Sequence, residues 1–163
     1  MARQRILIVE DEEHLLTFYR ETLERAGYKP YVARTGKEAL SAFSEAMPDL
    51  IILDVGLSEE MDGFEVLSVL RVQRRSDVPI MILTAQVGES KIIRGLNLGA
   101  DNYVLKPVSG DQLVARVRAQ LGRGGNGERV RPAGVYHYGD LVIDLDRNQA
   151  TRRGTRFTFG DTE

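Results

Sequence analysis

The sequence has no cysteine, no tryptophan and only two histidines, His14 and His137. Without cysteine there is neither a disulfide framework nor a thiolate metal site. Two histidines are too few for a His-built metal centre. His14 reads as an exposed helix residue rather than a phosphorelay histidine, and His137, between two tyrosines, as part of a strand. Long hydrophobic runs are also missing. The opening MARQRILIVEDEE holds one run of four apolar residues, Ile6 to Val9, before its acids. That is too short for a signal-peptide core or a membrane span, so a soluble, cytoplasmic protein with no membrane partner is expected. Nor does one sign of charge dominate. The formal net charge is −2, and residues 122–163 carry seven Arg against six acids, which is no polybasic arm. No glycine-rich phosphate loop follows the first apolar run, which excludes a nucleotide-binding reading.

What is present is a globular balance of 42% apolar and 28% charged residues, in a length that allows one domain and part of a second. Short apolar runs at Ile6–Val9, Leu50–Leu53, Ile80–Leu83 and Tyr103–Leu105, with a weaker one at Tyr31–Ala33, suit strands covered on both faces. Between and after them lie helical spacings. Leu15, Leu16, Tyr19 and Leu23 mark the first helix, closed by Gly27, and Ala39, Leu40 and Phe43 the second. Phe64, Leu67 and Leu70 mark the third, Ile92, Ile93 and Leu96 the fourth, closed by Gly99, and Leu113, Val117 and Leu121 the fifth. Five strand–helix repeats predict a doubly wound α/β domain with a parallel sheet over residues 1–121. GRGGNGERVRPAG (122–134) reads as a linker. Residues 135–163 are rich in β-formers and punctuated by Gly139, Asp146–Asn148 and Gly154, which predicts an antiparallel meander of three or four strands. A lone sheet of that size is marginal in water, so it must dock on something else.

Open α/β sheets bind ligands beyond the carboxyl ends of their strands. There the sequence places Glu10 and Asp11 after the first strand, Asp54 after the third, Thr84 after the fourth, and Lys106–Pro107 after the fifth. Each alone has a plain structural reading: a helix-cap acid, a turn residue, a β-former, a surface charge. Together they converge on one edge. Three clustered carboxylates repel unless a cation sits among them, and an all-oxygen set favours Mg²⁺. A carboxylate left free can attack phosphorus, while Lys106 and Thr84, with the N–H of Ala85, reach the phosphoryl oxygens.

These residues resemble the receiver domains of two-component response regulators. The resemblance spans roughly residues 4 to 121 and rests on ILIVEDEE, LIILDV, ILTA and GADNYVLKP, in family order. It implies a flavodoxin-like (βα)₅ sheet of order 2-1-3-4-5. It also implies that Asp54 is the phosphoacceptor, that Glu10, Asp11, Asp54 and the Gly56 carbonyl bind Mg²⁺, and that Thr84, Ala85 and Lys106 contact the phosphoryl group. Thr84 and Tyr103 would form a switch pair, with the ring turning inward on activation, and Lys106–Pro107 would be cis. The donor would be a phosphohistidine on a sensor histidine kinase, or a small acyl phosphate, and catalysis would be limited to self-phosphorylation and slow autodephosphorylation.

The stretch from Gly99 to Leu121 is similar to the OmpR/PhoB subfamily, which dimerises through its fourth helix, fifth strand and fifth helix. Asp101, Arg116 and Arg118 fit that dimer face, whereas Asn102, Gln112 and Ile92 stand where the subfamily carries charge. LVIDLDRNQATRRG resembles the start of that subfamily's winged-helix effector domain. The expectation is therefore a truncated transcription factor, in which only the full-length protein binds DNA. The loop after Asp54 departs from the family pattern: Ser58 replaces the usual Pro, and Asp62–Gly63 comes eight residues on rather than seven. A stand-alone adaptor is the competing reading. A haloacid dehalogenase-like phosphohydrolase is disfavoured, since its second Asp would fall at Gly56.

Overall fold

Four strands of the first domain are unbroken apolar runs because both of their faces are covered. The computed structural model of the chain describes residues 3–57, 61–85, 88–123, 135–138, 141–144, 149–152 and 155–158. Strands β1 (Arg5–Val9), β2 (Lys29–Ala33), β3 (Leu50–Leu53), β4 (Ile80–Thr84) and β5 (Asn102–Leu105) form one parallel sheet of order β2-β1-β3-β4-β5. Side chains alternate between the two faces. Ile6, Ile8, Leu50, Ile52, Met81 and Leu83 meet Leu16, Tyr19 and Leu23 of α1 (Glu13–Arg25) and Leu113 and Val117 of α5 (Gly110–Arg123). Leu7, Val9, Ile51, Leu53, Ile80 and Ile82 meet the other layer. That layer is α2 (Gly36–Ala46), α3 (Gly63–Ser68) and α4 (Glu89–Asn97). The α/β architecture and strand order expected from the sequence are those found.

The third helix differs from its periodicity. After Ser68 the chain widens into a π-helical turn, Val69–Gln73, closed by the Arg74 N–H donating to the Val69 carbonyl at 2.9 Å. Leu70 stays buried. Arg71 within that turn reaches inward, donating to the carbonyls of Gly99, Ser76 and Val78 and to the Asp101 carboxylate. The wide turn is thus coupled to a buried polar anchor that hydrophobic spacing does not reveal.

The second sheet has four antiparallel strands in sequence order, β6 (Val135–Tyr138), β7 (Leu141–Asp144), β8 (Gln149–Arg152) and β9 (Thr155–Thr158). His137 lies in β6. Most of the expected linker, residues 124–134, lies outside the described residues. Among the described residues no helix is long and apolar enough to cross a membrane.

Candidate functional site

Parallel strands deliver their carboxyl ends to one edge, and a backbone hydrogen bond to a neighbouring strand fixes three of the site residues there. The N–H of Glu10 donates to the Ala33 carbonyl at 3.0 Å, that of Asp54 to the Val9 carbonyl at 3.0 Å, and that of Lys106 to the Thr84 carbonyl at 2.8 Å. The phosphoacceptor candidate therefore hangs from the first strand as well as its own.

The side chains converge as expected. Lys106 Nζ donates to Glu10 Oε2 at 2.6 Å and to Asp54 Oδ2 at 3.0 Å. The other oxygens are bonded locally: Asp54 Oδ1 accepts from the Gly56 N–H at 2.8 Å, and Glu10 Oε1 from the Glu12 N–H at 3.1 Å. One carboxylate oxygen each from Glu10, Asp11 and Asp54 lie within 4.8 Å of one another. Glu10 and Asp54 are buried and Asp11 half-buried.

This crowding shifts two protonation equilibria. Burial pushes the Glu10 carboxyl above its ordinary pKa; the Lys106 hydrogen bond opposes this, and the Asp54 charge adds to the rise. Burial works against the Lys106 ammonium too. The hydrogen bond to Glu10 and the charges of Asp54 and Glu10 outweigh it and hold the pKa above its usual value. Lys106 is the internal counter-ion of the acidic cluster, yet it neutralises one charge among three. An oxygen-only donor set with this spacing and residual charge fits a hard divalent cation.

The remaining predicted residues are placed as follows. Thr84 is fully buried at the end of β4, and Ala85 beside it is exposed. The Lys106–Pro107 peptide is cis. Tyr103 is buried, with its ring under α4 at Gly95, where an added Cβ would come within 3.1 Å of two ring carbons. Gly56 adjoins Asp54 through its N–H. Ser58 lies outside the described residues, whereas Asp62 caps α3 by accepting from the Glu65 N–H.

The dimer-face expectation needs correction at Asp101. Asp101 is fully buried, with Oδ2 accepting from Arg71 at 2.7 Å and from the Ile80 N–H at 2.9 Å. A carboxylate committed inside its own chain offers nothing to a surface. Arg118 is two residues from Arg116, so the two point to different sides of α5. It lines a cavity of about 460 Å³ between α1 and α5 with Thr22, Arg25 and Val114.

Three residues outside the expected site matter to it. Gly63 lies against the Asp54 and Val55 backbone, and Gly95 makes room for Tyr103. Arg71 anchors the entry to β5. Close-approach glycines leave no mark in hydrophobic spacing. Gln112 did carry a legible signal, for Ser109-x-x-Gln112 is a capping box: Gln112 N–H donates to Ser109 Oγ, and Ser109 N–H to Gln112 Oε1.

Comparison with known proteins agrees with this geometry. Residues 6–118 match the response regulator receiver domain family. The chain is 39% identical over 161 residues to the DNA-binding response regulator MtrA of Mycolicibacterium smegmatis, covering 99% of this chain and 68% of that one. A CheY-like receiver domain from Methanospirillum hungatei superposes with a TM-score of 0.73 at 28% identity, over 78% of this chain and all of that one. DrrB, an OmpR/PhoB homolog from Thermotoga maritima, superposes with a TM-score of 0.70 at 28% identity, over 95% of this chain and 66% of that one. The chain therefore belongs to the response-regulator receiver family and is a two-component response regulator with OmpR/PhoB-type relatives.

Proposed function

We propose that Asp54 is the phosphoacceptor of this regulator, with the phosphohistidine of a sensor histidine kinase as donor. A carboxylate oxygen of Asp54 forms the new bond to phosphorus, the bond from phosphorus to the imidazole nitrogen breaks, and an acyl phosphate remains on Asp54. One observation carries this reading: the Lys106 ammonium bridges Glu10 and Asp54 at the sheet's carboxyl edge. It is a compact cation beside the nucleophile, where phosphoryl oxygens would arrive and it would donate to one of them. Thr84 and the Ala85 N–H would take the others.

Glu10, Asp11 and Asp54, with the Gly56 carbonyl, would hold Mg²⁺. Bound there, the ion supplies charge neutralisation for the phosphoryl group. The chain's own residues position the acceptor and hold the counter-charge. Gly56, two residues past the acceptor, offers no acid or base for rapid hydrolysis. The protein is accordingly a switch, and its catalysis is confined to its own phosphorylation and slow autodephosphorylation. Thr84 and the buried Tyr103 form the switch pair, linking the pocket to α4 and β5.

Residues 1–121 are read as the receiver, 122–134 as a linker and 135–163 as the opening sheet of a winged-helix effector domain. The whole regulator would bind DNA and control transcription through that domain. Two findings support this: the antiparallel sheet β6–β9, and relatives that align across it, one of them named as DNA-binding. They favour a transcription regulator over a stand-alone adaptor. A homodimer through α4, β5 and α5 would draw on Arg116 and Arg118 of the three residues first assigned to it.

Incubation with acetyl phosphate and Mg²⁺, followed by intact mass, tests the reading. One added phosphoryl group, absent when a chelator is present from the start, is expected; no gain in mass contradicts it.

A further inference from the structure

Gly63 opens α3, nine residues after Asp54, and its backbone lies directly on the acceptor's own peptide. A Cβ at Gly63 would overlap the Asp54 carbonyl oxygen, and would come within 2.5 Å of Val55 Cα and 2.9 Å of the Asp54 carbonyl carbon. These are main-chain atoms, so no side chain can swing aside. Asp54 is then held from three directions. Its N–H bonds Val9 of β1, its Oδ1 accepts from Gly56, and its carbonyl abuts the first turn of α3. Two residues before Gly63, Met61 is fixed in turn: a Cβ on Gly36 of α2 would lie 2.8 Å from Met61 Cβ.

Resting on the assignment of Asp54 as acceptor, we propose that Gly63 is a positioning residue for phosphoryl transfer. It sets the Asp54 carboxylate against Lys106 and the acidic pair by close main-chain contact with α3. The contact also accounts for how the pocket tolerates its lengthened loop. The described ends of the loop are each fixed, at Asp54–Leu57 and at Met61–Gly63. The acceptor's place is therefore set by the α3 contact and not by loop length.

In-line transfer depends on sub-ångström placement, and a misplacement of about 1 Å costs on the order of 100-fold in rate. Gly63→Ala must push the Asp54–Val55 peptide away. The predicted result is a 30- to 100-fold fall, to order of magnitude, in the maximal phosphorylation rate by acetyl phosphate in saturating Mg²⁺. The acetyl phosphate concentration at half-maximal rate should change little. A merely structural glycine would lower the denaturation midpoint and leave the rate of the folded protein unchanged, which overturns the proposal. Should Gly63→Ala fail to fold, Asp62 decides. Asp62→Ala removes the cap that orders the α3 first turn, while Asp62→Asn keeps a capping side chain and removes the charge. A rate about threefold lower in Asp62→Ala than in Asp62→Asn, by loss of placement, supports the proposal. Equal rates overturn it. If wild type itself takes no phosphate, the acceptor assignment has failed; if wild type labels and Gly63→Ala labels as fast, only the positioning role has.

Discussion

Lys106 lies 3.0 Å from Oδ2 of Asp54 while bonding Glu10 more closely, at 2.6 Å. The acceptor candidate is therefore paired with a cation it shares, and the pocket keeps an excess of negative charge. Such a site costs stability until a cation enters.

Divalent metal should stabilise the fold by mass action. At a Mg²⁺ concentration about 100 times the dissociation constant, the gain is about 2.7 kcal/mol. Thermal unfolding should shift upward with added Mg²⁺ and return on chelation, and Asp11→Asn should abolish most of the shift. The same upward shift in Asp11→Asn would place the metal elsewhere.

High pH should unfold the protein through two groups with the same sign. Tyr19 has its pKa raised to about 12, chiefly by burial, and Lys106 also lies above its ordinary value. In both cases the folded chain holds protons that the unfolded chain releases near pH 10, so stability falls as pH rises beyond that point. Tyr19 alone contributes roughly 2–3 kcal/mol of this loss by pH 12. Urea unfolding in steps across roughly pH 8 to 11 should therefore show a decline that Tyr19→Phe flattens. An unchanged slope in Tyr19→Phe contradicts the assignment.

Arg71 and Asp101 should behave as one unit. Their side chains are 7% and 0% exposed, and breaking a buried pair on one side costs about 3–5 kcal/mol. Arg71→Met and Asp101→Asn should each destabilise on that scale. The double variant should lose clearly less than the sum, because both changes remove one interaction. Strict additivity in urea unfolding would show that the pair is not coupled.

Gly95→Ala sets helix propensity against packing. Alanine favours a helix interior by about 0.8–1.0 kcal/mol, yet its Cβ would lie 2.9 Å from Ile82 Cδ1 and 3.1 Å from the Tyr103 ring. The expected outcome is a shifted ring, seen as an altered near-ultraviolet tyrosine signal, with no net gain in stability. A stabilised variant with an unchanged signal would mean that the ring is not confined by α4.

The sequence made the sheet legible because buried parallel strands are continuous apolar runs, and strand order followed from the resemblance. The pocket was legible for a related reason: Glu10, Asp11, Asp54, Thr84 and Lys106 each follow or end such a run, and parallel topology brings those ends together. Asp101 was misplaced because matching residue types carries no information on burial. Gly63 and Gly95 were overlooked as positioning elements because their role is the absence of a side chain at a close approach. The Arg71 anchor depends on a π-helical turn, for which hydrophobic spacing gives no signal.

The central claim is the identity of the acceptor. Wild type and Asp54→Asn should be incubated in parallel with acetyl phosphate and Mg²⁺, followed by intact mass and peptide mapping. The account predicts one acid-stable, base-labile phosphoryl group on the wild-type peptide containing Asp54, and none on the variant. Equal labelling of Asp54→Asn, or a wild-type phosphate mapped to Glu10 or Asp11, would contradict it.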